Sequence, residues 1–205
     1  MKLHLRDIAP SLVSAWREAF AGVEDVEISQ GDIFSRKTGV IGPEDPIDVR
    51  ADAVVSPANS FGFMDGGIDA VFTYQLGPQV QAAVQERIGK DWAGELPVGQ
   101  ALIVPTGRSE IPFCISAPTM RSPSVVANTV NAYLALRASL IVALAHKTPI
   151  KTILCPGLAT AIGRMPPRRC ARQMRAAWDR IILGKRFEPR TVGQAESDDE
   201  WLLGD

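Results

Sequence analysis

The chain is short of histidine and cysteine, and it has no hydrophobic run long enough to span a bilayer. Its 205 residues hold two histidines, His4 and His146, far apart in the chain. Neither zinc-ligand spacing nor a Ser-His-Asp triad can be assembled from them. Three cysteines, Cys114, Cys155 and Cys170, are odd in number and widely spread, which fits reduced thiols better than a disulfide framework. No apolar run approaches the roughly 18 residues of a spanning helix. The N-terminal MKLHLRDIAP is charged and lacks the apolar centre of an export signal, so a cytoplasmic setting is expected. Formal net charge is −1, without the basic excess of a general nucleic-acid binder. Repeats and low-complexity tracts are missing too. These absences leave no metal, cofactor or membrane to expect.

What is present is an alternation of short apolar strands with longer helical patterns, the mark of an α/β sheet. Strands are predicted at Lys2 to Leu5, Val26 to Ser29, Ala53 to Val55, Ala101 to Val104, Phe113 to Ser116 and Thr152 to Cys155. Helices are predicted at Ser11 to Phe20 and Gln79 to Ile88, with a long one from Val126 to Leu144 whose apolar residues recur with a period near 3.6. Pro166-Pro167 opens a last helix with Met174, Trp178 and Ile181 as its buried stripe. Residues 1–183 read as one domain. Residues 184–205 are acidic and without a periodic pattern, which predicts a flexible tail. Its Trp201-Leu202-Leu203 could dock on the protein's own surface or on a partner. Pro43 to Asp48 reads as a loop tip.

The most informative stretch is Asp52 to Asp69, DAVVSPANSFGFMDGGID. A buried-strand run ends at Pro57, and a small-residue loop carries Asn59. Gly66 and Gly67 let backbone amides approach a ligand, and Asp69 stands at a helix start. Strand, glycine-bearing loop and helix N-terminus together suit an anion, most naturally a phosphate. An amide and a carboxylate at the two ends of the loop sharpen that signal.

These residues resemble the macrodomain family, whose pattern here is roughly N-A-A-N, a short spacer and G-G-G-V-D. Asn59 matches the second asparagine, Gly66 and Gly67 the last glycines, Ile68 the valine and Asp69 the aspartate. Gly31-Asp32-Ile33 is similar to the G-D-I that holds adenine, and Val98-Gly99-Gln100-Ala101 to the T-G-x-A before a core strand. Gly157 to Pro166 (GLATAIGRMP) resembles the second phosphate loop. The likeness covers residues 26 to 183. It implies a three-layer α/β/α sandwich with a mixed central sheet. It also implies binding of ADP-ribose, and hydrolysis of ADP-ribosyl linkages on a modified macromolecule or small molecule. The partner is then ADP-ribose or an ADP-ribosylated substrate, with nucleic acid entering only as a modified substrate. A non-catalytic module binding ADP-ribose or another nucleotide diphosphate is the alternative. This chain departs from the pattern at Ser56 for the first asparagine, at Met64 and Asp65 for two glycines, and at Thr73 where many members have histidine. Ala161 takes a glycine position, and Gly163 one where an aromatic ring often covers the distal ribose. Diphosphate binding survives these changes more readily than hydrolysis.

On this resemblance Asn59 orients the distal ribose, and Asp69 positions or activates water. Asp32, Ile33, Ser56, Gly66, Gly67, Ile68, Gly157, Thr160, Ala161, Ile162 and Gly163 form the ligand-binding set. Each has a plainer reading. Asp32 can be a turn or N-cap aspartate, and Asn59 can hold its own loop through backbone bonds. Asp65 suits a helix N-cap, while Asp69 is favoured by the helix dipole wherever it opens a helix. Near a diphosphate, like charge would raise the Asp69 pKa and suit it to act as a base. Phe61 and Phe63 either cover a ribose or base or pack in the core. Arg168, Arg169, Arg172 and Arg175 make a solvated face or meet an anionic partner. Cys155 has no histidine to activate it and reads as core.

Overall fold

Leu3 and Leu5 of the first strand turn to one side of the sheet and His4 and Arg6 to the other, the period of two that a half-buried strand requires. The computed structural model describes residues 1–36 and 46–204. Its strands are β1 (Lys2–Asp7), β2 (Val26–Gln30), β3 (Ala53–Ser56), β4 (Leu102–Pro105), β5 (Phe113–Ser116) and β6 (Thr152–Cys155). The helices are α1 (Pro10–Ala19), α2 (Ile68–Leu76), α3 (Pro78–Asp91), α4 (Asn131–Leu144), α5 (Pro167–Ile181) and α6 (Val192–Leu203).

The strands form one mixed sheet in the order β2-β1-β6-β3-β5-β4. Among the described residues only β4 runs antiparallel, on β5. Helices α1, α4 and α5 pack on one face, where Trp16, Leu136, Met174 and Trp178 are buried against Leu3, Val55 and Ile153. Helices α2 and α3 cover the other face, where Phe72, Leu76, Val84 and Ile88 meet Val54, Cys114 and Leu154. The molecule is thus a three-layer α/β/α sandwich. The central strands carry apolar side chains on both faces, as a sheet covered on both sides demands.

Two expectations change. The long helix starts at Asn131, not at Val126. The Val126 N–H donates to the Gly163 carbonyl instead, and Thr129 Oγ1 donates to the Val126 carbonyl, so this stretch is held as a loop against the loop after β6. Nor are residues 184–204 without regular structure. Thr191 accepts the Gln194 N–H as an N-cap, and α6 lies on α5 with Leu202 buried. The Gln173 carboxamide donates to the Leu202 carbonyl, and Arg180 pairs with Asp198. The loop tip expected at Pro43 to Asp48 lies, through Asp45, outside the described residues.

Candidate functional site

Five parallel strands, β1, β2, β3, β5 and β6, end on the same side of the molecule. Ligands of open α/β sheets bind beyond such ends. Because β3 and β6 are neighbours, the loops after them, 57–67 and 156–166, lie side by side. They meet where a Cβ built on Gly67 would stand 4.0 Å from Ile162 Cδ1. Gly67 has φ 58° and ψ −135° and is the N-cap of α2. That backbone conformation is open essentially to glycine alone, so the turn into α2 explains this residue.

Ser56, Gly66, Gly67, Ile68, Asp69 and Ile162 converge here. Ser56 is buried at the end of β3, and its Oγ donates a 2.9 Å hydrogen bond to Asp69 Oδ1. Asp69 sits in the first turn of α2, and its N–H donates to the Gly66 carbonyl. Burial pushes its carboxyl up to about 6 from an ordinary 3.8. The Ser56 bond pulls it back down, and the negative charge of Asp65 adds to the rise. The protein's own enclosure therefore raises this acid without the charge of any ligand. Asp65 is exposed and is not the N-cap, a correction that follows from the Gly67 turn.

Asn59 holds its own loop. Its Oδ1 accepts the N–H groups of Phe61 at 3.1 Å and Phe63 at 3.3 Å, while Nδ2 donates to the Phe63 carbonyl at 2.8 Å. Phe61 is half-buried, 5.0 Å under the guanidinium of Arg121, which in turn is paired with Glu95. Phe63 is exposed. Met64 and Thr73 substitute for glycine and histidine with contacts of their own. Met64 is buried, its N–H donates to Gln81 Oε1, and Thr73 Oγ1 donates to its carbonyl.

In the second loop Gly157 is buried, and its N–H donates to Asp7 Oδ2 at 3.0 Å. A Cβ there would collide with Leu12 Cδ2 and Thr160 Oγ1, so this glycine serves packing and its N–H is already engaged. Gly163 is excluded from any larger side chain by the Ala159 carbonyl, and its own carbonyl takes Val126 N–H. Thr160 is half-buried, and Ala161 and Ile162 are exposed on the loop's outer turn.

At the end of β2 the Asp32 side chain makes the turn that was its plainer reading, Oδ1 accepting the Phe34 N–H at 2.8 Å. Ile33 is buried in the core under α2 and α3, so its side chain is not part of the open surface. Arg6, unforeseen in the sequence, fixes this loop from beneath. Its Nε donates to the Asp32 carbonyl at 2.6 Å and Nη2 to the Ser35 carbonyl at 2.8 Å, while Nη1 donates to Ser29 Oγ at 2.6 Å. Asp7 was unforeseen as well. The signal available was the charged pair Arg6-Asp7 that closes the strand.

All three cysteines are free thiols enclosed in the core. Cys155 is buried with its thiol pushed well up by burial, and Cys170 is pushed up to about 12 for the same reason. The basic residues of α5 are engaged locally. Arg169 donates to the Ala127 carbonyl, Arg172 to the Trp201 carbonyl and Arg175 to Asp179, and Arg168 lies 3.5 Å from Glu18. Among the described residues no group of three or more His, Cys, Asp or Glu side chains could hold a metal ion, and no helix is long and apolar enough to cross a membrane.

The model of the Macro domain family matches residues 55–174, a span that contains both loops. The chain belongs to the Macro domain family. An uncharacterized protein of Aquifex aeolicus is 33% identical over 145 residues, 71% of this chain and 79% of that protein. Among solved structures, the macrodomain of Mycobacterium tuberculosis DarG is similar with a TM-score of 0.56 and 20% identity, covering 74% of this chain and 88% of that one. A variant of the Oceanobacillus iheyensis macrodomain with ADPR gives 0.54 and 17%, covering 75% and 87%. At these identities the solved structures speak to the macrodomain fold.

Proposed function

We propose that this macrodomain binds ADP-ribose across the ends of β2, β3 and β6 and hydrolyses ADP-ribosyl linkages. Adenine lies at the Asp32 turn, the diphosphate between Gly66-Gly67 and the 157–163 loop, and the distal ribose beside Asn59 and Asp69. The ADPR carried by the Oceanobacillus iheyensis relative supports the ligand. The observation that carries the reaction is Asp69, a carboxyl enclosed beside the glycine turn, held by Ser56 and raised to about 6. Such a group is ionised at neutral pH, yet basic enough to take a proton. In the step it performs, a water oxygen bonds to the anomeric carbon of the distal ribose while Asp69 accepts the water's proton. The bond to the acceptor breaks, and the acceptor leaves with its electron pair and is protonated from solvent.

Asn59 favours a second reading, a binding module without turnover. Three of its hydrogen-bonding positions serve the loop, leaving one carboxamide N–H for a ribose hydroxyl. Titration calorimetry with ADP-ribose, followed by release assays on protein, nucleic-acid and small-molecule ADP-ribosyl substrates, separates the readings. Heat of binding with release that Asp69→Ala abolishes is the expected result. Binding without release from any substrate leaves the reader, and no heat at millimolar ADP-ribose overturns both.

A further inference from the structure

Ser116 is buried, and its hydroxyl has no hydrogen-bond partner among the described residues. An enclosed hydroxyl without a partner has given up its hydration for nothing, so such a group in a folded core calls for a reason. Strand register supplies one. Ser116 closes β5 as Ser56 closes β3, and the two are partners in the parallel ladder. Partnered residues of adjacent strands project from the same face of a sheet. That face carries Val54 and Cys114 beneath α2 and α3, and Ser56 on it donates to Asp69 Oδ1. Ser56 has thereby used its one proton and keeps acceptor lone pairs, while Ser116 has a proton and no acceptor. Adjacent strands lie about 4.8 Å apart, so a choice of serine χ1 rotamer brings the two oxygens into hydrogen-bond reach.

We propose that Ser116 is a positioning residue for Asp69, donating to Ser56 Oγ in a hydroxyl chain Ser116–Ser56–Asp69 that holds the carboxylate from beneath. The proposal rests on the hydrolytic reading for its purpose, since Asp69 is the group assigned there to water. Its physics is that of a polarised chain. A donor to Ser56 Oγ makes the Ser56 hydroxyl a stronger donor to the carboxylate and favours the ionised form. The other groups that face this carboxyl do the opposite or nothing. Asp65, from the glycine loop, opposes its ionisation, and the Cys114 thiol of β5 is kept neutral by burial. No cation is among the groups that shift Asp69. Ser56 is the group that offsets burial, and Ser116 acts on the carboxylate through it.

The test is a carbon-detected NMR titration of the Asp69 carboxyl in the free full-length protein, for wild type, Ser116→Ala, Ser56→Ala and the double variant. Ser116→Ala is expected to raise the midpoint by about 0.3–0.6 pH units and Ser56→Ala by more. The double variant should go no further than Ser56→Ala, because Ser116 reaches the carboxylate only through Ser56. Ser116→Thr should restore the wild-type midpoint. If Ser116→Ala fails to fold, Ser116→Cys keeps the volume with a weaker donor and should shift the midpoint the same way. A Ser116→Ala or Ser116→Cys variant that titrates like wild type, a Ser116→Thr variant that shifts as Ser116→Ala does, or a double variant in which the two shifts add, overturns the chain. Because the free protein is titrated, failure of the hydrolytic reading shows separately, as a midpoint that moves in a protein that releases nothing.

Discussion

Asn59 and Phe63 are joined twice, Asn59 Nδ2 donating to the Phe63 carbonyl at 2.8 Å and the Phe63 N–H donating to Asn59 Oδ1 at 3.3 Å. The carboxamide thus acts as a staple for the loop that leads to the glycines, and one N–H is left over from the staple for the proposed ribose contact. Stability and the proposed binding are therefore linked at this residue. Asn59→Ala is expected to lose about 1–3 kcal/mol in urea denaturation, because Phe61 and Phe63 N–H groups lose their acceptor. ADP-ribose affinity should fall with it. Asn59→Asp keeps the acceptor and loses the donor, so it should recover part of the stability and little of the affinity.

Asp69 gives stability a pH dependence of defined sign. Its folded pKa is raised to about 6 from 3.8, so the native state holds this proton more tightly than the unfolded chain. The contribution is fully present below about pH 3.8 and is lost as pH rises through about 6. Asp69→Asn, neutral at every pH, should therefore be more stable than wild type at pH 7.5, by on the order of 1–3 kcal/mol. That advantage should shrink by about pH 5 and vanish below about pH 4. Urea melts of both proteins at the three pH values check this, and an advantage that grows toward acid would refute it. For the proposed hydrolysis the same pKa predicts a rate that climbs through about pH 6 as the base ionises.

Arg6 should be intolerant even of lysine. Its fork reaches the Asp32 carbonyl, the Ser35 carbonyl and Ser29 Oγ at once, and a single ammonium cannot reproduce that geometry. Arg6→Lys is expected to lower thermal stability. It should also weaken ADP-ribose and AMP alike, since the loop it supports carries the proposed adenine contact. Loss of ADP-ribose affinity with AMP affinity intact would assign the effect to another part of the site.

How much of this was legible depends on the range of the contacts concerned. The strand centres read correctly because alternation and apolar runs are local properties, and Phe113–Ser116 and Thr152–Cys155 fall where expected. The start of α4 did not, since a long-range bond from Val126 to Gly163 overrides the helical period. Gly66, Gly67 and Asp69 were legible as a loop because glycine freedom and a helix start leave marks in sequence. The Ser56–Asp69 bond spans 13 residues, whereas Arg6 acts 26 residues away and Asp7 acts on Gly157 across 150. No local pattern carries those. The raised Asp69 pKa was expected from a ligand's charge, but it comes first from burial, which depends on how α2 seats on the sheet.

The C-terminal helix was missed because its hold on the domain is narrow. Leu202 is its one buried residue, and its other anchors are polar: Arg180 with Asp198, Gln173 with the Leu202 carbonyl and Arg172 with the Trp201 carbonyl. Three charged or amide side chains on α5 are invisible as a docking site to a pattern built from apolar periods. The same geometry says which substitutions release the helix. Leu202→Ala removes a fully enclosed side chain and is expected to cost about 2–4 kcal/mol in chemical denaturation. Asp198→Asn leaves the Arg180 guanidinium, only 13% exposed, without its carboxylate, and should cost more than the charge-free pair Arg180→Met with Asp198→Asn. Gln173 also takes the Tyr133 N–H and donates to the Thr129 carbonyl, at the base of the loop whose Val126 supports Gly163. Deleting residues 184–205 should therefore raise amide exchange in 126–130 beyond the exchange of the sheet. Unchanged exchange there in the truncated protein would mean that α6 stabilises α5 alone.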